Sequence, residues 1–373
     1  MTSSEPTRRG YSFGASGRPN LRRRLEEAED HLSTFAAKAK DSRGRERKEE
    51  EDPLRTCFLR DRDRIIHTNA FRRLKHKTQV FIAPTGDHFV TRLTHTLEVS
   101  QIARTVARAL SLNEDLVEAI SLGHDLGHTP FGHVGEEALD KLAPGGFTHS
   151  QQSLRVVEKL EKGGQGLNLT WEVRQGIVSH SKPQGDFLST DGVEGLSLEA
   201  QVCRLCDAVA YLNHDVADAI RAGMLTESAL PQASREVLGS GHAQRINAMV
   251  WDIVEASWPA RGRVPMPKGE RPVITMSPPV REAMNALRQF MFQRVYGPEG
   301  QSAEARVARS VLQLLYEYFQ RNPRTMPDAF LRQGEPVERC VVDYVSGMTD
   351  RFAIMVAERI RAGVSEGAFR WAL

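Results

Sequence analysis

Long apolar runs are absent from this sequence, and their absence excludes one large class of protein. No stretch of about 18 apolar residues occurs among the 373 residues, so we expect no membrane-spanning helix. The first residues also lack an apolar core followed by a small-residue cleavage site, so we expect no secretory signal peptide.

Neither sign of charge dominates. The 50 basic and 48 acidic residues leave a formal net charge of +2, so there is no overall field that would attract nucleic acid or a membrane surface. The basic stretches at 22–24 and 43–51 are typical of solvated surface or a mobile tail. Binding of single-stranded nucleic acid is therefore left open.

Cysteine is scarce, which excludes a disulfide framework. The chain has four cysteines, and only Cys203 and Cys206 have metal-like spacing, without a second pair to complete a site. Both fall within a helical pattern, so we interpret them as small packing residues. This usage fits a reducing cytoplasm, which is the localisation that we expect.

Helical periodicity is what the chain does contain. With 40% hydrophobic residues, it is large enough for one elaborated domain or two. Apolar residues recur at steps of four or five across 93–110, and Asn113 followed by two acidic residues predicts a helix over 114–123. Residues 20–50 predict a charged helix that breaks near residues 42–44, after an unstructured segment 1–20.

The strongest helical pattern covers residues 197–222. Its apolar residues step by three or four throughout, and Asp207, Tyr211 and Asp215 follow at i, i+4 and i+8 on a separate stripe. We therefore expect this helix to pack with one face and to present two carboxylates and a phenol with another. No convincing run of alternating strands occurs, so the predicted fold class is all-α.

One short run holds an unusual density of potential ligands. Between Gly123 and Glu136 stand His124, Asp125, His128 and His133, separated by glycine, proline and phenylalanine. An adjacent His–Asp pair offers one nitrogen and one oxygen, which suits Mn²⁺, Fe²⁺, Co²⁺, Ni²⁺ or Zn²⁺ and also admits Mg²⁺.

His133 and Glu136 form a second pattern within this run. They are three positions apart, so they are neighbours if this segment is helical. A carboxylate beside an imidazole raises the pKa of the ring and orients it, which suits acid–base catalysis.

The order His95, His124-Asp125 and Asp207 resembles the metal-dependent phosphohydrolases of the HD-domain family. Several longer stretches are similar to one subgroup, the bacterial deoxyguanosine triphosphate triphosphohydrolase-like proteins. Matching residues are frequent over roughly residues 50–225. Elsewhere the similarity rests only on chain length and on a helical pattern of apolar residues. These stretches are Arg60–His67, Phe71–Phe81, Thr91–His95 and Tyr211–Asp215.

The resemblance implies an HD-domain helical core with additional C-terminal helices. We expect a charged, partly flexible segment at 1–50, the HD core at 51–225 and a helical region packed on it at 226–373. It implies a metal held by His95, His124, Asp125 and Asp207, and catalysis by His133 and Glu136. The residues expected to bind substrate are Gln79, Arg92, His128, His149, Tyr211 and Asp215.

The activity implied is metal-dependent hydrolysis of deoxynucleoside triphosphates to deoxynucleoside and inorganic triphosphate. We expect Mg²⁺ or Mn²⁺, with Fe, Co, Ni or Zn as alternatives. The family commonly forms homo-oligomers, including hexamers, with allosteric nucleotide sites. The expected partners here are therefore further copies of this chain and a nucleotide activator.

Two alternatives stay open at the level of sequence. One is another HD-type nucleotide phosphohydrolase, such as a nucleotidase or a phosphodiesterase. The other is a nucleotide- or nucleic-acid-binding regulator with little turnover, although the presence of every proposed ligand argues against an inactive site. The base preference and the direction of proton transfer at His133 are not decided by the sequence.

Overall fold

A computed structural model describes residues 21–82, 88–181, 192–264, 266–267, 269–366 and 368–369. The predicted unstructured segment 1–20 lies outside them. The α-helices in chain order are α1 Leu21–Ala28, α2 Cys57–Ile66, α3 Asn69–Arg73, α4 Arg92–Ala109, α5 Glu114–Gly123, α6 Gly132–Leu142, α7 His149–Arg155, α8 Glu161–Gly164, α9 Trp171–Ser179, α10 Leu198–Arg221, α11 Gln232–Leu238, α12 His242–Ala256, α13 Pro278–Met291, α14 Gly297–Gly300, α15 Ala303–Arg321, α16 Val337–Ser346 and α17 Asp350–Ile360.

The all-α prediction is confirmed. Within the described ranges, the only β-type pairings are two isolated bridges, Arg45 with Thr170 and Thr78 with Thr91. Among the same residues, no helix is both long enough and apolar enough to cross a membrane.

The three helices predicted from periodicity form almost at their expected bounds. Each is capped by a side-chain oxygen that accepts a hydrogen bond from a backbone N–H of the first turn. Thr91 caps α4, Asn113 caps α5 and Ser197 caps α10. Cys203 and Cys206 are buried in α10, so the prediction that they are packing residues is confirmed.

The prediction of a long charged helix over residues 20–50 is wrong. The helix ends at Ala28, and only 3₁₀ turns follow, at Glu29–His31 and Ala39–Asp41. The Glu29 carboxylate is buried and accepts hydrogen bonds from the Ala39 amide and the Asn113 side chain. These contacts bind the segment to the fold in an irregular path, which the local charge pattern does not reveal.

The buried apolar residues form two packing clusters. The first cluster contains residues of α4, α5 and α10, which pack against one another, and it continues through α13 to Val295. The second cluster joins Phe131 and α6 to α15, α16 and α17. The run 124–131 connects the two clusters. The predicted domain boundaries at residues 50 and 225 stay a prediction.

Candidate active site

The four predicted metal ligands converge from three helices. His95 lies in the first turn of α4, His124 and Asp125 directly follow α5, and Asp207 lies in α10. His95 Nε2 is 3.2 Å from Asp207 Oδ1 and 3.9 Å from Asp125 Oδ2. His124 Nε2 is 3.8 Å from Asp207 Oδ1 and 3.5 Å from Asp125 Oδ1. Each of the two imidazole nitrogens therefore lies within 4 Å of both carboxylates, and His95, His124 and Asp207 form the tightest group.

The orientation of His124 fits a metal ligand. Its Nδ1 is 2.6 Å from the Ser121 carbonyl oxygen, which can only accept, so Nδ1 carries the proton. The lone pair is then on Nε2, which is buried and has no hydrogen-bond partner among the described residues. A buried, unpaired nitrogen aimed at two carboxylates is what a divalent cation would complete.

Arg92 is buried and takes part in this cluster. Its Nη1 donates to Asp125 Oδ2 at 2.7 Å, whereas its Nε and Nη2 have no hydrogen-bond partner within the described residues. Burial opposes ionisation of Asp125, but His124 and the Arg92 guanidinium hold the pKa of this carboxyl well below its usual range. Asp125 is therefore an ionised carboxylate, and Arg92 retains donors for another anion.

The predicted catalytic carboxylate lies between two histidines. Glu136 Oε1 is 2.8 Å from His149 Nδ1 and also accepts the His149 backbone N–H at 2.7 Å. His133 Nδ1 is 3.4 Å from Glu136 Oε2, and the His133 side chain is 72% exposed. The closer partner of Glu136 is thus His149, a pairing that the spacing of His133 and Glu136 does not predict.

Hydrogen bonding determines the protonation of His149. His180 Nδ1 is 2.6 Å from the Ile177 carbonyl oxygen and must donate to it, which leaves His180 Nε2 as an acceptor. His149 Nε2 lies 2.9 Å from that acceptor, so it donates. Its Nδ1 faces the Glu136 carboxylate, so both ring nitrogens of His149 carry protons.

The pKa shifts agree with this assignment. Burial disfavours a charged His149, but the Glu136 carboxylate outweighs burial and raises its pKa. Burial, with His124 and His149 nearby, lowers the pKa of His180 to about 3, so this ring is neutral. His128 stacks on His149 with ring centroids 4.2 Å apart, and burial next to Arg92 lowers its pKa far below the usual value.

A cavity of about 500 Å³ extends from the predicted metal ligands to the histidines around Glu136. Ten of the twelve predicted site residues line it, and His124 and Glu136 are not among its lining residues. Its wall includes the whole predicted stripe of α10: Asp207, Tyr211 and Asp215. Gln79 also lines the cavity, and its buried Oε1 has no hydrogen-bond partner among the described residues. The predicted substrate-binding residues thus surround one space.

Sequence reasoning missed one wall of this cavity. Arg288 of α13 and the π-helix Phe292–Tyr296 line it from the C-terminal part of the chain. Phe292 is 50% exposed, and the Arg288 guanidinium lies 5.0 Å from the centre of its ring. The local sequence around Arg288 and Phe292 looks like that of an ordinary amphipathic helix, so nothing in it marks either residue as part of a site.

Two buried polar side chains, Lys77 and Asp350, bond together the segments that carry the site. Lys77 donates from Nζ to the carbonyl oxygens of His128 and Ser346. Asp350, at the start of α17, accepts from the backbone N–H and the hydroxyl of Thr78 and from the Phe131 N–H. The C-terminal region is therefore bonded directly to the turn before α6, a long-range link that the sequence does not indicate.

The turn at Gly127 permits a close approach between two segments. A Cβ atom at this position would overlap the backbone nitrogen of Ser153 and lie 2.7 Å from the His149 carbonyl oxygen. The Gly127 N–H donates to the Ser153 hydroxyl at 2.9 Å. Glycine is required here because α7, which begins with His149, packs directly on the backbone.

Comparison with known proteins agrees with this geometry. The HD domain model matches residues 92–212, and the model of the phosphohydrolase-associated domain matches residues 274–359. A deoxyguanosinetriphosphate triphosphohydrolase-like protein of Caldanaerobacter subterraneus subsp. tengcongensis is 52% identical over 332 residues, covering 88% of this chain and 92% of that protein. This chain belongs to the deoxyguanosinetriphosphate triphosphohydrolase-like family.

Other members of the deoxyguanosinetriphosphate triphosphohydrolase-like family are similarly close. One from Desulfatibacillum aliphaticivorans is 46% identical, covering 91% of this chain and 97% of that protein. One from Clostridium perfringens is 48% identical, covering 86% and 91%. The family similarity thus extends well beyond residues 50–225, and the phosphohydrolase-associated match contains the missed wall from Arg288 to Tyr296.

One solved structure, a hypothetical protein from Aquifex aeolicus, has a TM-score of 0.44 at 19% identity, over 87% of this chain and 73% of that chain. The family matches, rather than this distant likeness, identify this chain as an HD-domain phosphohydrolase.

Proposed function

We propose that this protein hydrolyses deoxynucleoside triphosphates to deoxynucleoside and inorganic triphosphate, using a divalent metal ion. The observation that carries the proposal is the single cavity in which a metal-ligand set, a protonated histidine and the α10 stripe face one another. The names of the relatives support a deoxynucleoside triphosphate as the substrate.

The metal would be held by His95, His124, Asp125 and Asp207. These ligands fit a divalent ion because His124 Nε2 is buried and unpaired among the described residues, and because both carboxylates face it. Bound Mg²⁺ or Mn²⁺ supplies Lewis-acid polarisation of a phosphoryl oxygen.

The chain's own cations would bind the triphosphate. His149 offers a positive charge held between Glu136 and His180, and Arg92 retains two buried nitrogens without partners among the described residues. Fixed cations in a largely buried site offset phosphate charge without reorganisation during the reaction. His128, between them, stays neutral and does not add a competing proton equilibrium.

The reaction would break the bond between the α-phosphorus and the 5′-oxygen. A water molecule forms the new bond to phosphorus and loses a proton, and the 5′-oxygen gains one as it leaves. His133 is the exposed ring of the group, 3.4 Å from Glu136, so it has the freedom to exchange this proton.

The sugar would lie along α10. Tyr211 stands one turn beyond Asp207, where its ring leaves little room for a 2′-hydroxyl. Gln79 and Asp215 would contact the 3′-hydroxyl from opposite segments of the wall. The predicted homo-oligomer, nucleotide activator and cytoplasmic location stay predictions.

Product analysis tests this function. The purified protein is incubated with each of the four deoxynucleoside triphosphates and with Mg²⁺, Mn²⁺ or EDTA, and the products are separated by chromatography. We expect deoxynucleoside and inorganic triphosphate, and no turnover with EDTA. Asp207→Ala should lose metal and activity, whereas the matched control Asp328→Ala, at an exposed position, should keep both. Monophosphate with pyrophosphate, or no hydrolysis by the metal-loaded protein, would contradict the proposal.

A further inference from the structure

Two buried side chains, His214 and Asp215, and the half-buried Tyr296 stand in series behind the metal-facing ring of His95. His95 Nδ1 is 2.9 Å from His214 Nε2. His214 Nδ1 in turn lies 2.9 Å from Asp215 Oδ1, an electrostatic contact that lacks hydrogen-bond alignment, and the Tyr296 hydroxyl donates to Asp215 Oδ2 at 2.7 Å. His95, His214 and Asp215 are each no more than 3% exposed. We call this series the His95 relay.

Only one placement of protons in the relay is compatible with metal binding. Two imidazole nitrogens at 2.9 Å need a single hydrogen between them. For His95 Nε2 to offer a lone pair to a metal, that hydrogen must belong to His95 Nδ1, so His214 Nε2 must accept it. The proton of neutral His214 is then on Nδ1, which faces the Asp215 carboxylate.

The two histidine ligands differ in how they are oriented. His124 is held by a backbone carbonyl, so its orientation depends on the helix end and not on any side chain. His95 is held by a side chain, which is oriented by a second side chain and contacted from the C-terminal region through Tyr296. The orientation of His95 can therefore be changed by mutation without touching a ligand.

We propose that His214, oriented by Asp215 and Tyr296, is a positioning residue that holds His95 in the tautomer and ring orientation needed to bind the metal. This inference rests on the metal site of the proposed function. It gives Asp215 a second role, because the carboxylate that lines the sugar end of the cavity also orients a group at the metal. The partner of a metal-binding histidine typically contributes about 10–100-fold to metal affinity.

Metal affinity, measured by titration calorimetry with Mn²⁺ on the full chain, tests the relay. His214→Gln places an amide oxygen near the former Nε2, where it can accept from His95. His214→Asn is too short to reach His95, and His214→Phe fills the space without an acceptor. We expect Gln to keep an affinity close to that of the wild type, and Asn and Phe to weaken it about 10–100-fold. Tyr296→Phe should weaken it less.

Val216→Ala is the matched control. Val216 is fully buried on the same helix, two positions from His214, and belongs to the first packing cluster. Its truncation should lower the melting temperature and leave Mn²⁺ affinity unchanged. If His214→Asn acts only through metal binding, raising Mn²⁺ above its weakened dissociation constant should restore kcat.

The outcomes separate this inference from the proposed function. Folded His214→Phe with wild-type Mn²⁺ affinity would overturn the relay. If His214→Phe does not fold, equal affinities of the Gln and Asn variants would overturn it. A wild type that binds Mn²⁺ but hydrolyses no deoxynucleoside triphosphate would contradict the proposed function while the relay still stands on the affinities. A wild type that binds no Mn²⁺ would contradict both.

Discussion

His133 and His149 both contact the Glu136 carboxylate, but they differ in distance and in exposure. The His149 side chain is only 14% exposed, lies 2.8 Å from the carboxylate and also contacts His180, whereas the His133 side chain is 72% exposed and lies 3.4 Å away. A ring held by two hydrogen bonds is suited to a permanent charge, and a ring held by one weak contact is suited to transferring a proton. The sequence places His133 beside Glu136 by helical spacing, and the family resemblance adds His149 as a substrate-binding residue. No local signal predicts that His149 pairs with Glu136 or that His180 contacts it.

The protonation of His149 predicts the alkaline side of the pH profile. Glu136 raises the pKa of His149 above the ordinary value, so the cation is present below that pKa and is lost as the pH rises through it. We expect kcat/KM for a deoxynucleoside triphosphate to fall on the alkaline side for this reason. His149→Gln should have a lower kcat/KM at every pH and lack this fall.

The control for this measurement is His242→Gln, a histidine outside the cavity lining. This variant should reproduce the wild-type profile. An alkaline fall of the same size in His149→Gln would show that another group is responsible.

At the scale of elements, α10 shows what periodicity can predict. The apolar steps fix which face of α10 packs, so the stripe of Asp207, Tyr211 and Asp215 was predictable, and all three residues line the cavity. Its neighbour His214 falls on another face and is buried against His95, 119 positions away. Contacts of that range depend on tertiary packing, which no local pattern encodes.

The α10 stripe predicts discrimination between sugars. The Tyr211 ring should exclude a 2′-hydroxyl, so the wild type should prefer deoxyribonucleotides to ribonucleotides. Tyr211→Ala should narrow that preference and weaken overall activity. Because a site that bonds a substrate hydroxyl can reject an analogue lacking it by roughly 10⁴-fold or more, 2′,3′-dideoxy substrates should be poor.

The measurement is kcat/KM for the ribo, deoxy and dideoxy forms of one base, with the wild type and Tyr211→Ala. Tyr316→Ala serves as the control, since Tyr316 lies in α15 and not in the cavity lining. If the wild type hydrolyses the ribo, deoxy and dideoxy substrates equally, the stripe does not discriminate between sugars.

At the scale of the whole molecule, the site lies where the two packing clusters meet. The proposed metal ligands lie in or next to helices of the first cluster, whereas His133 and Glu136 are on α6, which packs on α15 in the second. The chain order of the HD motif predicts the first half of this arrangement. The second half depends on Lys77 and Asp350, whose bonds to the motif cross more than 50 and 200 residues.

Asp350 should therefore matter to both stability and activity. Asp350→Ala would leave the Phe131 and Thr78 amides without their acceptor and Lys77 without a nearby carboxylate. Leaving a buried donor without its acceptor typically costs about 1–3 kcal/mol, so the free energy of unfolding in urea should fall by at least that order. Below the melting transition, kcat should also fall, because α6 and the Gln79 segment lose their common anchor.

The exposed Asp328→Ala is the control here as well, and it should match the wild type in urea and in kcat. Wild-type stability of Asp350→Ala would show that the second cluster alone holds the turn before α6.

Gly127 is a position at which a substitution should damage the site indirectly. Any side chain there would push α7 away from the turn, and α7 carries His149 at its first position. A mutation at Gly127 should therefore displace His149, the cation proposed to bind phosphate, although Gly127 itself has no side chain to offer the site. The close approach of two backbones thus makes this position sensitive to any side chain, even though it lies outside the cavity lining.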